Sequence, residues 1–185
     1  PFALFFTLPM FYIAYKNFEL SLLKKWQLWF FLIITLLPLV FWRVWMTQFP
    51  EGIPASTWLF NGGDVRFKGS FFYWIFAERI GKLILGYFGI SFLFFGFIKK
   101  DTEKYFGFFL SFLLSLIFYV FVIARGNLQH DYYQILIIPT LSIFAARGIT
   151  FLVSFNLLTN KIIGYLIVII CFFMMFSFSW YHVRD

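Results

Sequence analysis

The sequence predicts an all-α protein, a polytopic transmembrane helix bundle of about six spans with an interfacial helix in a long external loop. Composition predicts it first: 62% of the 185 residues are hydrophobic and only 12% are charged, against about 25% charged in soluble domains. Apolar runs near the ~20 residues that a helix needs to cross a bilayer predict it second. The third observation is that short charged or turn-rich segments separate those runs. The sole cysteine, Cys171, excludes an internal disulfide, and with two histidines in all a His/Cys metal cluster is not expected. The net charge of +7 suits an anionic membrane surface, and no nucleic-acid motif is present.

In order, 2–15 is apolar but short of a full span, and is expected to be the end of a helix. With no initiator Met and no signal-peptide layout, the chain reads as an internal or truncated piece of a longer protein, a single membrane domain over 1–185. A polar loop over 16–26 carries Lys16, Lys24 and Lys25. The next span, 27–46, should kink at Pro38, with Trp42, Arg43 and Trp45 as interfacial anchors. Residues 47–80 form the external loop. Its first half, with Pro50, Gly52, Pro54 and Asn61-Gly62-Gly63-Asp64, should be irregular; its second half, 70–80, is rich in aromatics and reads as an interfacial helix. A span over 81–98 offers Gly81, Gly86, Gly89 and Gly96 for close helix contacts. A charged turn at 99–104, a span at 105–124, a span at 135–154, a turn at 155–161 and a span at 162–180 complete the chain.

Seven of the nine lysines fall on one side of this topology and five of the six arginines on the other. Counting short loops makes the lysine side cytoplasmic. The planar fork of arginine suits bidentate phosphate recognition, so arginines on the external side hint at an anionic headgroup or a lipid-linked phosphate. Plain headgroup anchoring explains any single one equally well.

The densest polar stretch is 124–141, A-R-G-N-L-Q-H-D-Y-Y-Q-I-L-I-I-P-T-L. Asp131 and Gln134 have capping-box spacing, so a helix is expected from Tyr132, its N–H groups facing the membrane surface. Pro139 should kink it by clashing with the carbonyl of Ile135. Arg125 and His130 stand just upstream, making this a candidate seat for a phosphate. His130 has three open readings: phosphate ligand, acceptor orienter or interfacial hydrogen bonder. Tyr132 and Tyr133 are either an aromatic belt or a surface for a sugar or phosphate.

The run H-D-Y-Y-Q-I-L-I-I-P, with A-A-R-G at 145–148, resembles a late membrane segment of GT-C glycosyltransferases, in particular bacterial relatives of the dolichyl-phosphate-mannose protein mannosyltransferases. The stretch Q-F-P-E-G-I-P-A-S-T-W-L-F-N-G-G-D-V-R-F-K at 48–68 is similar to an external loop in some of them. Together they cover under a third of the chain. The resemblance implies a hexosyltransferase of the bacterial plasma membrane that takes a sugar from a polyprenyl-phosphate donor to a lipid, glycan or protein acceptor on the external face. The candidate donor contacts are Arg125, His130, Tyr132, Tyr133 and Arg66, and the resemblance favours such a role for at least one of the two tyrosines. In that family the catalytic carboxylate lies in a first external loop, and no stretch here matches it. The catalytic residue is therefore unassigned, and the chain corresponds to a C-terminal membrane portion expected to be inactive by itself. Asp64, after two glycines, reads as a turn residue rather than a base. A divalent cation shared with an upstream part of the protein is left open.

Two rivals come from other classes. A transporter or lipid flippase would place ionisable residues near the midplane; the spans hold no acid, and Arg147 lies near a span end. A noncatalytic membrane subunit would pack its Phe-rich faces on a partner. An acidic pair in an upstream external loop would separate the enzyme from both.

Overall fold

The computed structural model describes residues 2–50, 55–99, 105–154 and 161–183, and these are helical with no strand. The turn expected at 155–161 and most of the one at 99–104 lie outside the described residues, as do Glu51, Gly52, Pro54, Arg184 and Asp185. The chain divides into two compact units, residues 1–63 with 104–126, and residues 64–103 with 127–185.

In the first unit a 3-10 turn, Phe2–Phe6, leads into α1 (Thr7–Phe18). A second 3-10 turn, Glu19–Lys24, connects to α2 (Trp26–Met46), which continues through Pro38. Then come α3 (Ala55–Asn61) and α6 (Phe106–Val122). On α6, Leu113, Leu116, Tyr119 and Val120 are buried at helical spacing. The α1 end packs on that helix: Phe5 meets Tyr119 edge-on at 5.0 Å, and the Ser115 hydroxyl donates to the Phe5 carbonyl. Gly107 lets the α6 backbone approach Tyr12, whose hydroxyl would overlap any Cβ placed there.

In the second unit, α4 (Gly69–Ile84) starts as α-helix and continues as π-helix from Tyr73 to Ile84. Its i→i+5 bonding carries Tyr73 over Glu78, five residues on. The axis then turns by 104° into α5 (Gly89–Ile98). A 3-10 turn, Asp131–Ile137, feeds α8 (Ile138–Ser154), and α9 is Lys161–Val183. The core of the unit is the α5–α8 crossing. A Cβ on Gly96 would overlap the Phe144 carbonyl, and one on Gly148 would overlap the Phe92 carbonyl, so two glycines bring the backbones together in the manner of small-residue membrane interfaces. The Phe97 and Phe144 rings stack at 4.6 Å beside them. Arg147 is buried at this crossing, its Nε donating to the Gly96 carbonyl (3.2 Å) and its Nη2 to that of Lys99 (3.1 Å). It thereby satisfies carbonyls that the end of α5 leaves without helical partners.

Three expectations differ from the structure in part or in whole. The first, the count of six spans, is met in part. Among the described residues three helices, Trp26–Met46, Asp131–Ser154 and Lys161–His182, are long and apolar enough to cross a membrane, and a fourth if the bent pair Gly69–Ile84 and Gly89–Ile98 acts as one. The expected span 81–98 is interrupted at Gly86 and Tyr87, whose φ angles are +51° and +57°; α5 alone, with ten residues, reaches only about 15 Å of a ~30 Å core. The seventeen residues of α6 reach about 26 Å. Second, the loop before Lys68 is helical over 55–67: α3 is followed by a 3-10 turn, Gly62–Phe67, with Gly63 and Asp64 in left-handed backbone.

The third concerns the central stretch. No side chain caps the 3-10 turn that opens at Asp131, so there is no capping box. Gln134 is buried and donates instead to the backbone carbonyl and Oδ1 of Asn127, because a buried amide must find partners. Pro139 is the second residue of α8, where a missing N–H costs little. A change from 3-10 to α winding stands where a kink was expected.

Candidate functional site

The sequence-predicted residues divide between the two units. Arg125, on α7 (Ala124–Gln129), belongs to the first, where its methylene stem lies over Gly62. His130, Tyr132, Tyr133 and Arg66 belong to the second. Arg66 is half-buried on the 3-10 turn Gly62–Phe67 rather than in an open loop.

The structure brings His130, Tyr132 and Tyr133 together. The His130 ring lies 5.3 Å from each tyrosine ring, and the two tyrosines meet edge-to-face at 4.8 Å. His130 has extended backbone at the N-cap position, and this lets its ring fold over the first turn rather than continue the helix. Tyr132 is 59% exposed, while His130 and Tyr133 are half-buried. The cluster is thus an open aromatic face with hydroxyl and imidazole N–H donors. Asn127 and Gln134 pin it from beneath through the hydrogen bonds described above.

Asp131, between the histidine and the first tyrosine, is paired with Arg79 of α4 at 2.7 Å. The Asp131 side of the pair is open to solvent, with side-chain exposures of 20% for Arg79 and 63% for Asp131, so solvent screening holds its contribution to stability to about 1 kcal/mol. Its consequence is electrostatic, since it neutralises the carboxylate of Asp131 beside the rings. The Arg79 guanidinium also lies 5.9 Å over the Trp74 ring. On the same helix Glu78 accepts from the Tyr73 hydroxyl (2.7 Å) and from Lys82 (3.1 Å). Those hydrogen bonds, Tyr73 first and Lys82 second, hold its carboxyl below the ordinary range, and in turn raise the Tyr73 phenol. Sequence reasoning put Arg79 on the interfacial helix but did not pair it with Asp131, because a partner fifty-two positions away has no signature in spacing.

Among the described residues no three His, Cys, Asp or Glu side chains converge, so these residues offer no ligand set for a divalent cation. The acids near the cluster are already engaged, Asp131 by Arg79 and Glu78 by Tyr73 and Lys82. This surface can bind a polar, partly anionic group by donors and rings, and it presents no carboxylate free to act as a base. No protein-family model, curated protein or solved structure matches the chain.

Proposed function

We propose that the chain is the donor-binding membrane portion of a GT-C-type glycosyltransferase, which transfers a sugar from a polyprenyl-phosphate-linked donor to an acceptor on the external face of a bacterial plasma membrane. The carrying observation is the His130–Tyr132–Tyr133 ring cluster at the mouth of an apolar helix of membrane length. Imidazole and phenol groups are of the type that donates to phosphate oxygens. Aromatic faces suit the apolar faces of a sugar or the first isoprene units. Arg79 keeps Asp131 from repelling the anion. The sharp turn between α4 and α5 suits α4 as a helix lying along the membrane surface, with Phe72, Tyr73, Trp74 and Phe76 exposed. Arg125 and Arg66 enter as candidate donor ligands because a planar guanidinium suits bidentate phosphate recognition.

The chemistry assigned to this chain is binding and orientation, and the base belongs elsewhere. A photoreactive polyprenyl phosphate, irradiated with the protein in nanodiscs, should label the peptide holding His130–Tyr133, and excess unlabelled polyprenyl phosphate should suppress the labelling. Labelling confined to other helices, or unaffected by competitor, would sink the proposal. A flippase would label too, so transfer of labelled sugar by the full-length protein separates the two readings.

A further inference from the structure

A second binding feature lies in the first unit, on the lysine-bearing side of the sequence-derived topology. None of the 21 residues of α2 is buried. Between this helix and α1 runs an apolar groove of about 430 Å³, whose lining includes Phe11 and Ala14 of α1, Leu22 of the connection, and Trp29, Leu32 and Leu36 of α2. That volume falls within the usual range for ligand pockets. Along α2 the lining runs from Leu28 to Leu36, about 12 Å at 1.5 Å per residue. Such a length is most of one leaflet of a hydrocarbon core about 30 Å thick. Thr7, Thr35 and the indole N–H of Trp29 supply the side-chain N and O atoms of the lining.

The foot of the groove is cationic. Lys16, Lys24 and Lys25 are exposed on the α1–α2 connection against one acid, Glu19. The ammonium groups of Lys16 and Lys25 rest near the rings of Tyr12 and Phe18 at 6.0 and 5.4 Å. Among the described residues none of these three lysines forms an ion pair. The Trp29 indole donates to the Leu23 carbonyl at 3.0 Å and fixes the connection across the groove's end. An apolar slot one leaflet deep, with three cations at its mouth, matches a lipid whose chain is apolar and whose headgroup is anionic.

We propose that the α1–α2 groove holds one acyl chain of an anionic glycerophospholipid, with the headgroup phosphate on Lys16, Lys24 and Lys25. The site is separate from the ring cluster and rests on the membrane reading alone, so failure of the glycosyltransferase proposal leaves it standing. The test uses phosphatidylglycerol with a diazirine on one acyl chain, in nanodiscs that also contain phosphatidylcholine. Adducts should map to 11–14 and 28–36, and phosphatidylglycerol should remain bound through delipidation in preference to phosphatidylcholine. Each lysine near an anionic headgroup contributes about a factor of five. Replacing all three with glutamine should therefore lower retention more than tenfold, while Lys161→Gln should leave it unchanged. Ala14→Trp, which fills the groove and keeps the lysines, should abolish the adducts; wild-type labelling decides the site even if that variant fails to fold. Equal retention of the two lipids would overturn the proposal. So would adducts spread along α9, loss on lysine replacement without loss in Ala14→Trp, or recovery of a second polypeptide cross-linked in the groove.

Discussion

Arg79 and Arg147 show two uses of one side chain. Arg79 is half-buried, and its pair with the exposed Asp131 sets charge beside the ring cluster. Arg79→Ala should lower polyprenyl-phosphate affinity about fivefold by uncovering a carboxylate near the anion, while stability changes by under about 1 kcal/mol. The double variant Arg79→Ala with Asp131→Asn should recover most of that affinity. Affinity titrations in nanodiscs check this, and no recovery would make Arg79 a structural residue. Arg147 is buried and bound to two carbonyls at the end of α5. Arg147→Met keeps most of the stem and loses both charge-assisted bonds, at about 1.5–3 kcal/mol each. A clear fall in thermal stability is expected, with donor affinity retained in the folded fraction. The sequence placed Arg147 inside a span but could not supply its partners on α5. It misassigned Gln134 because capping-box spacing is a local rule, and the buried amide is held by Asn127 seven residues upstream.

At the scale of elements, hydropathy made most helices legible, and the glycines of 81–98 were recognisable as contact residues. Their partners were not, since Gly96 and Gly148 are matched only once α5 and α8 cross. Gly148→Ala should force the backbones apart and cost about 1–3 kcal/mol as overpacking does, read as a lower unfolding temperature in detergent. The turn between α4 and α5 was illegible because a hydropathy window does not register left-handed backbone. Gly86 there has a φ of +51°, and a Cβ would come within 2.6 Å of the Met175 carbonyl oxygen. Gly86→Ala should therefore destabilise the second unit by the left-handed strain of about 1–2 kcal/mol plus the clash. An unchanged unfolding temperature would mean that the turn does not have this geometry. The ring cluster was half legible: H-D-Y-Y placed three rings in sequence, but their mutual contact depends on the extended backbone of His130.

For the whole molecule, the apolar composition gave the class, and among the described residues the structure is all-helical with three to four helices of membrane length. A cysteine scan in a Cys171→Ser background tests the topology. A cysteine at Gln129 should react with an impermeant reagent on intact cells, while cysteines at Lys24 and Ser154 should react only after permeabilisation. Reaction of Gln129 and Ser154 from the same side would mean that the Asp131–Ser154 helix does not cross. The most direct test of the central claim, that the ring cluster is a donor seat, is the affinity of polyprenyl phosphate for wild type and His130→Ala in nanodiscs. Hydrogen bonds to a charged group are worth about 1.5–3 kcal/mol, so the substitution should weaken binding about tenfold or more, with a smaller loss for Tyr132→Phe. Equal affinity in wild type and His130→Ala would contradict the account and leave the cluster as an aromatic belt at the membrane surface.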